Sequence, residues 1–159
     1  MKLSDILTRE RVVPNLHAGE KIDVLRELVH RGFIENETDG LDPDDEERLV
    51  QVLQNRERLC STGMKDGLAI PHGKVPGLQQ LTACLGIHKG GVDFGAADGE
   101  KSHIFLVLMS PEQCGGDHLK ALARIARLFS GGQLQRRLLE HADDRDVLFD
   151  DLTTEDARL

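Results

Sequence analysis

One histidine follows directly after a proline in a segment whose backbone has few open conformations. Residues 61–75 read STGMKDGLAIPHGKV, with a short apolar run at 68–70 that is long enough to enter a sheet. Pro71 favours extended geometry in the residue before it and cannot donate a ladder hydrogen bond, and His72 comes next. Gly73 lets the chain turn away behind the ring. The pattern predicts an imidazole presented to a partner at the end of a strand. The alternative is a core strand that ends in a turn, with His72 at the surface by chance.

His118 is a second candidate, because it is predicted to lie in the first turn of a helix. Asp117 precedes it as the predicted N-cap, and Leu122 and Ile125 follow at spacings that place His118 at the border of the inward face. Free backbone N–H groups and the helix dipole favour an anion there and disfavour an imidazolium. A neutral His118 is therefore suited to donating a hydrogen bond to an anion. The alternative is a histidine that only packs at the helix start.

Arg56 is a third candidate, near the predicted C-terminal end of a helix. Its guanidinium could bind a phosphate, or a carboxylate of a partner, through two parallel hydrogen bonds. The alternative is that it complements the helix dipole, a common role for arginine at that end. Ser61 and Thr62 could donate hydroxyl hydrogen bonds to an anion or could organise the turn. Arg58 is expected to be a surface charge.

The other residues with chemical potential form no recognised site pattern. Five further histidines are scattered along the chain, and none lies at close metal-ligand spacing from another histidine or a cysteine. A zinc site, and with it a metal-dependent hydrolase, would need His72 and His118 together with Cys60 or Cys114, which matches no zinc spacing. With Cys84 the cysteine count is odd, so reduced thiols are expected rather than a disulfide framework. No metal, nucleotide or other cofactor is predicted.

The candidate residues need a scaffold in which strands and helices are mixed along the chain. Strands are predicted over 11–16, 68–70, 81–88 and 102–110, and the last is apolar enough to be buried on both faces. Helices are predicted over 3–7, 20–31, 43–58, 118–130, 134–142 and 144–152. This mixture favours a single layered α/β domain in which helices cover a sheet.

Turn-forming and capping residues set the predicted ends of these elements. Asp42 is the expected cap of the helix that starts at 43, and Gly32 is the expected end of the helix before it. A polar turn is predicted over 35–40, and Gly90 and Gly91 are expected to break the strand that starts at 81. The inward stripe of helix 118–130 is predicted to consist of Leu119, Leu122, Ile125, Ala126 and Phe129.

Composition and charge exclude several kinds of partner. The 159 residues are 39% hydrophobic and 3% aromatic, and the formal net charge is −8. So acidic a chain with so few aromatic rings is poorly suited to nucleic acid, and a partner with a basic face fits it better. No apolar run approaches a membrane helix and the N-terminus lacks a signal-peptide pattern, so a cytoplasmic protein without membrane insertion is expected.

The segment around His72 also resembles that of a known family. The residues GLAIPHGKV, preceded by RERLCSTG at 56–63, resemble the active-site segment of enzyme IIA domains of the bacterial phosphotransferase system. The resemblance is to the fructose/mannitol type and, within it, to the nitrogen-regulatory members. It covers roughly 3–152, and GDHLKALARIA resembles the family's second histidine segment. The sequence departs from the family at 64–66, where MKD replaces an I-G-N-type turn. It also departs at 114–116, where CGG is looser than expected before the second histidine.

The resemblance implies both a fold and a function. The implied fold is a single three-layer enzyme IIA-like domain over 1–159, with its core at about 3–152 and a mixed β-sheet flanked by helices. The implied function is that of a phosphoryl carrier, in which His72 accepts a phosphoryl group through Nε2 from an HPr-like phosphohistidine protein. His118 and Arg56 are the implied catalytic partners of His72. Regulatory target proteins or a IIB domain are the implied partners after transfer.

Two alternatives keep the same fold. The chain could be a sugar-specific fructose/mannitol enzyme IIA subunit, or a regulatory binding module that is not phosphorylated. The sequence contains no fused transporter or IIB segment, which favours a regulatory role over a sugar-specific one.

Overall fold

A mixed five-stranded sheet forms the middle of the fold in the computed structural model, which describes residues 1–36 and 38–159. Its strands are β1 (Val12–Val13), β2 (Leu68–Ala69), β3 (His72–Val75), β4 (Thr82–Val92) and β5 (Ser102–Pro111). Strands β4 and β5 are antiparallel, whereas β1 runs parallel to β4, and both β2 and β3 run parallel to β5. Glu37 lies outside the described residues, so the turn predicted over 35–40 is described only in part.

The two long strands are buried on both faces because alternate side chains enter two different cores. On β5, one face carries Ile104, Leu106 and Leu108, and the other carries Phe105, Val107 and Met109. The Phe105 face packs against the helices α1 (Lys21–Val29) and α2 (Glu46–Leu59). The opposite face packs against α3 (Asp117–Leu128), α4 (Gln133–Glu140) and α5 (Arg145–Ala157). The predicted α/β fold, with helices flanking a mixed sheet in three layers, is confirmed. None of the helices in the described part of the chain has the length and apolar character needed to cross a bilayer.

The sequence predicted that the first long helix ends at Gly32, but the structure shows that the helical segment continues past this residue. Helix α1 continues into a π-helical turn over His30–Ile34, in which Gly32 is buried. A Cβ atom at this position would lie 2.6 Å from Sγ of Cys84 in β4. The glycine therefore permits close packing of the helical segment on the sheet.

Cys84 is a free thiol, as are Cys60 and Cys114.

The strand predicted to break at Gly90 continues to Val92. Its register with β5 shifts between Ile87 and Val92, and Gly91 has a φ angle of 77° within this irregular stretch. Glycine adopts that conformation without steric cost, so Gly91 accommodates the irregular stretch and the strand continues through it.

Helix α3 begins one residue earlier than predicted. Gly116 occupies the N-cap position, so the prediction that Asp117 caps the helix was wrong. The buried residues of this helix are Ala121, Ile125 and Leu128, which share one face. The assignment of Leu119 to the inward stripe was also wrong. It lies two residues before Ala121 and hence almost on the opposite side of the helix, where it is 70% exposed.

The ends of two helices show how polar groups complete the packing. Asp42 caps a 3₁₀ turn over Pro43–Asp45 that leads into α2, and it accepts a hydrogen bond from the Asp44 backbone N–H, which confirms the predicted cap. Helix α5 runs past the predicted end at 152, and Asp156 near its end is buried. The Asp156 carboxylate accepts hydrogen bonds from Arg124 Nε at 2.5 Å and from the Leu3 backbone N–H at 2.7 Å. This contact ties the first residues of the chain to its last helix.

Candidate functional site

His72 is the first residue of β3, and its ring is half-buried beside β5. Pro71 separates β2 from β3 along the same edge, and Ile70 lies at this junction. His72 Nδ1 is 2.7 Å from the Ile70 carbonyl oxygen. Because a carbonyl oxygen can only accept, Nδ1 carries the proton in this hydrogen bond, and the neutral ring keeps its lone pair on Nε2. The geometry thus leaves one nucleophilic nitrogen available.

The sequence predicted that the chain turns away at Gly73 behind the ring, and this prediction was wrong. Strand β3 continues through Gly73 to Val75, and a Cβ atom at Gly73 would lie 2.4 Å from Cγ1 of Val52 in α2. Glycine is needed here because the helix packs directly on the strand. This close approach brings the last turn of α2, which carries Arg56, to the side of His72.

The surroundings of His72 favour its neutral form. Burial of the ring is the main cause that lowers the pKa of His72 below its ordinary value of 6.5, and the positive charge of Arg56 lowers that pKa as well. The hydrogen bond to Ile70 and the negative charge of Glu57 act in the opposite direction without reversing the shift. A neutral imidazole has the free lone pair that nucleophilic attack requires.

His118 lies beside His72, in the first turn of α3. The two ring centroids are 5.3 Å apart and the ring planes are tilted by 53°. His118 Nδ1 is 2.5 Å from Oγ of Ser110, which is buried at the end of β5. Burial, followed by the charges of His72 and Lys74, lowers the pKa of His118. A hydroxyl that donates to Nδ1 leaves the proton on Nε2, which can then donate to an anion.

Arg56 lies in the last turn of α2 and donates from Nη1 to the Cys60 carbonyl oxygen at 2.8 Å. This contact at the C-terminal end of the helix fits the alternative role of Arg56, in which its charge complements the helix dipole. The same side chain also lines both clefts beside His72. A guanidinium has five N–H donors, so a single bond to a carbonyl leaves others for an anion.

Two clefts meet at His72. A cleft of about 260 Å³ lies between Arg56 and His72, and a second of about 320 Å³ includes these two residues and His118. The structure therefore brings the three residues predicted from the sequence together. A larger cleft of about 510 Å³, lined by Asp66 and Arg136 among others, includes none of the three. The chemistry of the side chains favours the smaller clefts as the functional site.

The hydroxyls of Ser61 and Thr62 organise the turn before β2. Ser61 Oγ donates to the Phe94 carbonyl oxygen at 2.6 Å and accepts from the backbone N–H of Gly63. Thr62 donates its hydroxyl to the carboxylate of Glu57. Of the two roles that the sequence left open for these residues, the hydrogen bonds favour the structural one.

Sequence reasoning missed two residues near the candidate site. Glu57 is buried on α2, four residues after Leu53 and seven after Val50, which are also buried. A carboxylate at these spacings on an apolar stripe is a signal that could have singled it out. Ser110 gave a weaker signal, since it is only the last residue before the proline that ends an apolar strand.

These features suit a protein that receives an anionic group on a histidine. A neutral imidazole can attack through Nε2, and a second imidazole and a guanidinium lie close enough to bind the oxygens of that group. Among the residues that the structure describes, no group of three or more His, Cys, Asp or Glu side chains is arranged to hold a metal ion.

Comparison with known proteins gives the family. The family described as "Phosphoenolpyruvate-dependent sugar phosphotransferase system, EIIA 2" matches residues 5–151. The chain belongs to this family, and it is a component of a phosphotransferase system.

Individual relatives refine this assignment. A nitrogen regulatory protein of Bradyrhizobium diazoefficiens is 34% identical over 143 residues, which is 90% of each chain. The fructose-specific EIIABC component of Bacillus subtilis is 30% identical over 156 residues, which is 98% of this chain but 24% of that longer protein. The crystal structure of the nitrogen regulatory protein IIA-Ntr from Neisseria meningitidis aligns with a TM-score of 0.82 at 28% identity, over 94% of this chain and 98% of that one. The predicted resemblance to nitrogen-regulatory enzyme IIA proteins is confirmed.

Proposed function

We propose that the chain is a phosphoryl carrier that accepts a phosphoryl group on His72 from an HPr-like phosphohistidine protein. His72 Nε2 attacks the phosphorus while the bond between phosphorus and the donor imidazole breaks, and that electron pair returns to the donor ring. Each ring keeps its proton on the nitrogen that does not take part in the transfer. The step therefore balances without a cofactor or an external base.

The observation that carries this proposal is the 2.7 Å hydrogen bond from His72 Nδ1 to the Ile70 carbonyl oxygen. It keeps the proton on Nδ1 and the lone pair on Nε2. The lowered pKa of His72 supports the same role, because the neutral ring is the form that can attack near pH 7.

His118 and Arg56 stabilise the transferring group in this proposal. His118 donates from Nε2 to a phosphoryl oxygen, with the Ser110 hydroxyl donating to its Nδ1. Arg56, which lines the same cleft, supplies a second set of N–H donors. Positioned donors of this kind typically contribute about 10²–10³-fold to a rate.

We propose that the role is regulatory, because relatives named nitrogen regulatory proteins are similar over almost the whole chain. Phosphorylation would add about −1.5 to −2 charges at His72, by analogy with other phosphorylated side chains. That change would decide which regulatory target protein or IIB domain binds. The chain would act in the cytoplasm as a single enzyme IIA-like domain over 1–159, with its core at about 3–152.

A sugar-specific role is the second candidate. It is supported by the 30% identity with the fructose-specific EIIABC component. Transfer from the phosphorylated chain to a purified fructose or mannitol IIB domain, at a rate comparable to that of a cognate sugar system, would favour this role over the regulatory one.

The test of the proposal is phosphorylation in a purified system. The chain is incubated with phosphoenolpyruvate, enzyme I and an HPr-type carrier, and its intact mass is measured. We expect the mass gain of one phosphoryl group, labile in acid and stable in base, which is lost in His72→Gln and kept in His141→Gln, a matched change at an exposed histidine. A gain that persists in His72→Gln would overturn the assignment of the acceptor. No gain with any cognate carrier would leave the binding module that is not phosphorylated.

A further inference from the structure

A charged residue is buried next to the candidate site without touching the reacting atoms. Glu57 lies on the inward face of α2, and its side chain is only 4% exposed. Replacing a buried ion pair with apolar residues of similar volume is often neutral or stabilising, so stability alone does not explain a carboxylate at this position. Its contacts indicate another role.

The Glu57 carboxylate is held by one cation and binds one residue of the turn. Lys21 Nζ lies 2.8 Å from Oε2. The Thr62 backbone N–H donates to both carboxylate oxygens, at 3.2 and 3.1 Å, and the Thr62 hydroxyl donates to Oε1. The carboxylate therefore fixes both the backbone and the side chain of Thr62.

Lys21 ties the same turn to the loop that contains Phe94. Its ammonium group lies 4.5 Å from the centroid of the Phe94 ring and donates to the Phe94 carbonyl oxygen at 3.2 Å. Ser61 donates to this same carbonyl. Two successive residues of the turn are thus held by one cluster, which we define as Lys21, Glu57 and Phe94.

Two further hydrogen bonds connect Thr62 to the imidazole of His72. The Ile70 backbone N–H donates to the Thr62 carbonyl oxygen at 3.1 Å. The carbonyl oxygen of Ile70 in turn accepts the bond from His72 Nδ1 at 2.7 Å. The position of the group that sets the tautomer of His72 thus depends on the position of Thr62, and Thr62 is held by Glu57.

We propose that Glu57, neutralised by Lys21, is a positioning residue for phosphoryl acceptance: it fixes Thr62, and through Thr62 and Ile70 it holds His72 with Nε2 directed at the donor. This inference rests on the proposed function of His72. Glu57 and Lys21 do not contact the phosphoryl group in this proposal. They act by keeping the His72 ring in the one tautomer and orientation that can attack.

The first test replaces the carboxylate with an amide. In Glu57→Gln the Lys21 ammonium loses its counter-charge and the acceptor for Thr62 is weaker. We expect the rate of transfer from the phosphorylated carrier to fall by about tenfold to 10²-fold, as small misplacements of reacting groups commonly cause, with an unchanged KM for the carrier. NMR of the imidazole nitrogens of the unphosphorylated protein should show His72 with a mixture of tautomers and a lower pKa, because the negative charge of Glu57 normally raises that pKa.

A second variant keeps the test decisive if the first one folds poorly. Lys21→Met leaves the bonds between Glu57 and Thr62 in place but removes the neutralising ammonium. Because Glu57 still holds Thr62, the rate should fall by less than in Glu57→Gln, and His72 should stay mainly in the tautomer with its proton on Nδ1. A mixture of His72 tautomers in folded Lys21→Met, with the Thr62 amide signal unchanged, would overturn the inference.

Glu27→Gln is the matched control. Glu27 also pairs with a cation, Arg31 at 2.6 Å, and also accepts from two backbone N–H groups, those of His17 and Ala18. This control should keep the wild-type rate and the wild-type His72 spectrum. The inference is wrong if folded Glu57→Gln has a normal spectrum and rate, or if Glu27→Gln loses as much. If the wild-type chain accepts no phosphoryl group, the proposed function fails, and the NMR spectra still decide whether Glu57 holds His72.

Discussion

Removing the hydroxyl of Ser110 isolates the contribution of His118. Ser110 is fully buried, and its Oγ lies 2.5 Å from His118 Nδ1. When the hydroxyl donates to Nδ1, the neutral ring must carry its proton on Nε2, where it can donate to a phosphoryl oxygen. In Ser110→Ala the two tautomers of His118 lose this bias, and the ring loses one of its orienting contacts. The change deletes one oxygen atom and removes none of the side chains proposed to contact the phosphoryl group.

The size of the effect follows from the strength of one hydrogen bond. A bond of this kind contributes about 1 kcal/mol net, which corresponds to a change of about fivefold in an equilibrium. We therefore expect the rate of phosphoryl transfer in a single turnover to fall by about fivefold at saturating carrier. The KM for the carrier should not change, because Ser110 is buried and cannot contact it. Rapid-quench measurement with the phosphorylated carrier gives the rate, and NMR of the imidazole nitrogens gives the tautomer of His118.

Ser102→Ala is the matched control, since Ser102 is buried on the same strand. Its hydroxyl has no hydrogen-bond partner in the described part of the chain, so its removal should leave the rate unchanged. The reasoning is refuted if Ser110→Ala transfers at the wild-type rate, or if its His118 spectrum keeps the wild-type tautomer. A loss as large as that of His118→Ala would also refute it, because the hydroxyl is argued to bias the ring and not to replace it.

Three further predictions concern pH, docking and stability. The rate of acceptance should rise with pH through the pKa of free His72 and reach half its maximum below pH 6.5, since burial lowers that pKa and only the neutral ring attacks; a midpoint above 6.5 in a pH–rate profile would contradict this. Leu59 and Leu119 are 82% and 70% exposed. Changing both to Ser should raise the KM for the carrier, and leave the unfolding midpoint and transfer from a small phosphoramidate donor unchanged, if they form part of the docking surface; an unchanged KM counts against that role. Asp156→Asn should lower the free energy of unfolding by about 2–3 kcal/mol, because it breaks a buried charged contact. Asp150→Asn at an exposed ion pair should change it by less than about 1 kcal/mol, as denaturant titration of both variants would reveal.

Local patterns placed the three candidate residues on their elements, but the resemblance to the enzyme IIA family was needed to choose between the alternatives for each. The proline before His72 and the short apolar run before it define a strand edge without reference to the rest of the chain. His118 and Arg56 lie at helix ends, and helix ends follow from capping residues and apolar spacing. These signals depend on neighbours in the sequence, so they predicted most of the elements and a layered α/β domain, whereas the three-layer arrangement was what the resemblance implied.

Contacts between distant segments could not be predicted in the same way. The pairing of Ser110 with His118 and of Lys21 with Glu57 depends on how the elements pack, and no local rule specifies a partner many residues away. The same limit explains why Gly32 was taken as a helix end, because its close contact is with Cys84 on another element. Leu119 was misplaced for a different reason, since a helix that carries apolar residues on several sides does not reveal its buried face.

Because residue 73 is glycine, only certain substitutions can be accepted at this position and at the residue that packs against it. Because only a hydrogen atom of Gly73 separates strand β3 from Val52, the spacing between α2 and the sheet is set by the combined size of these two residues. Any enlargement of residue 73 must be matched by a reduction at residue 52, or the helix moves outward and takes Arg56 with it. Homologous sequences should therefore vary at the two positions in a correlated way, and Gly73→Ala should be tolerated better alongside Val52→Ala than alone.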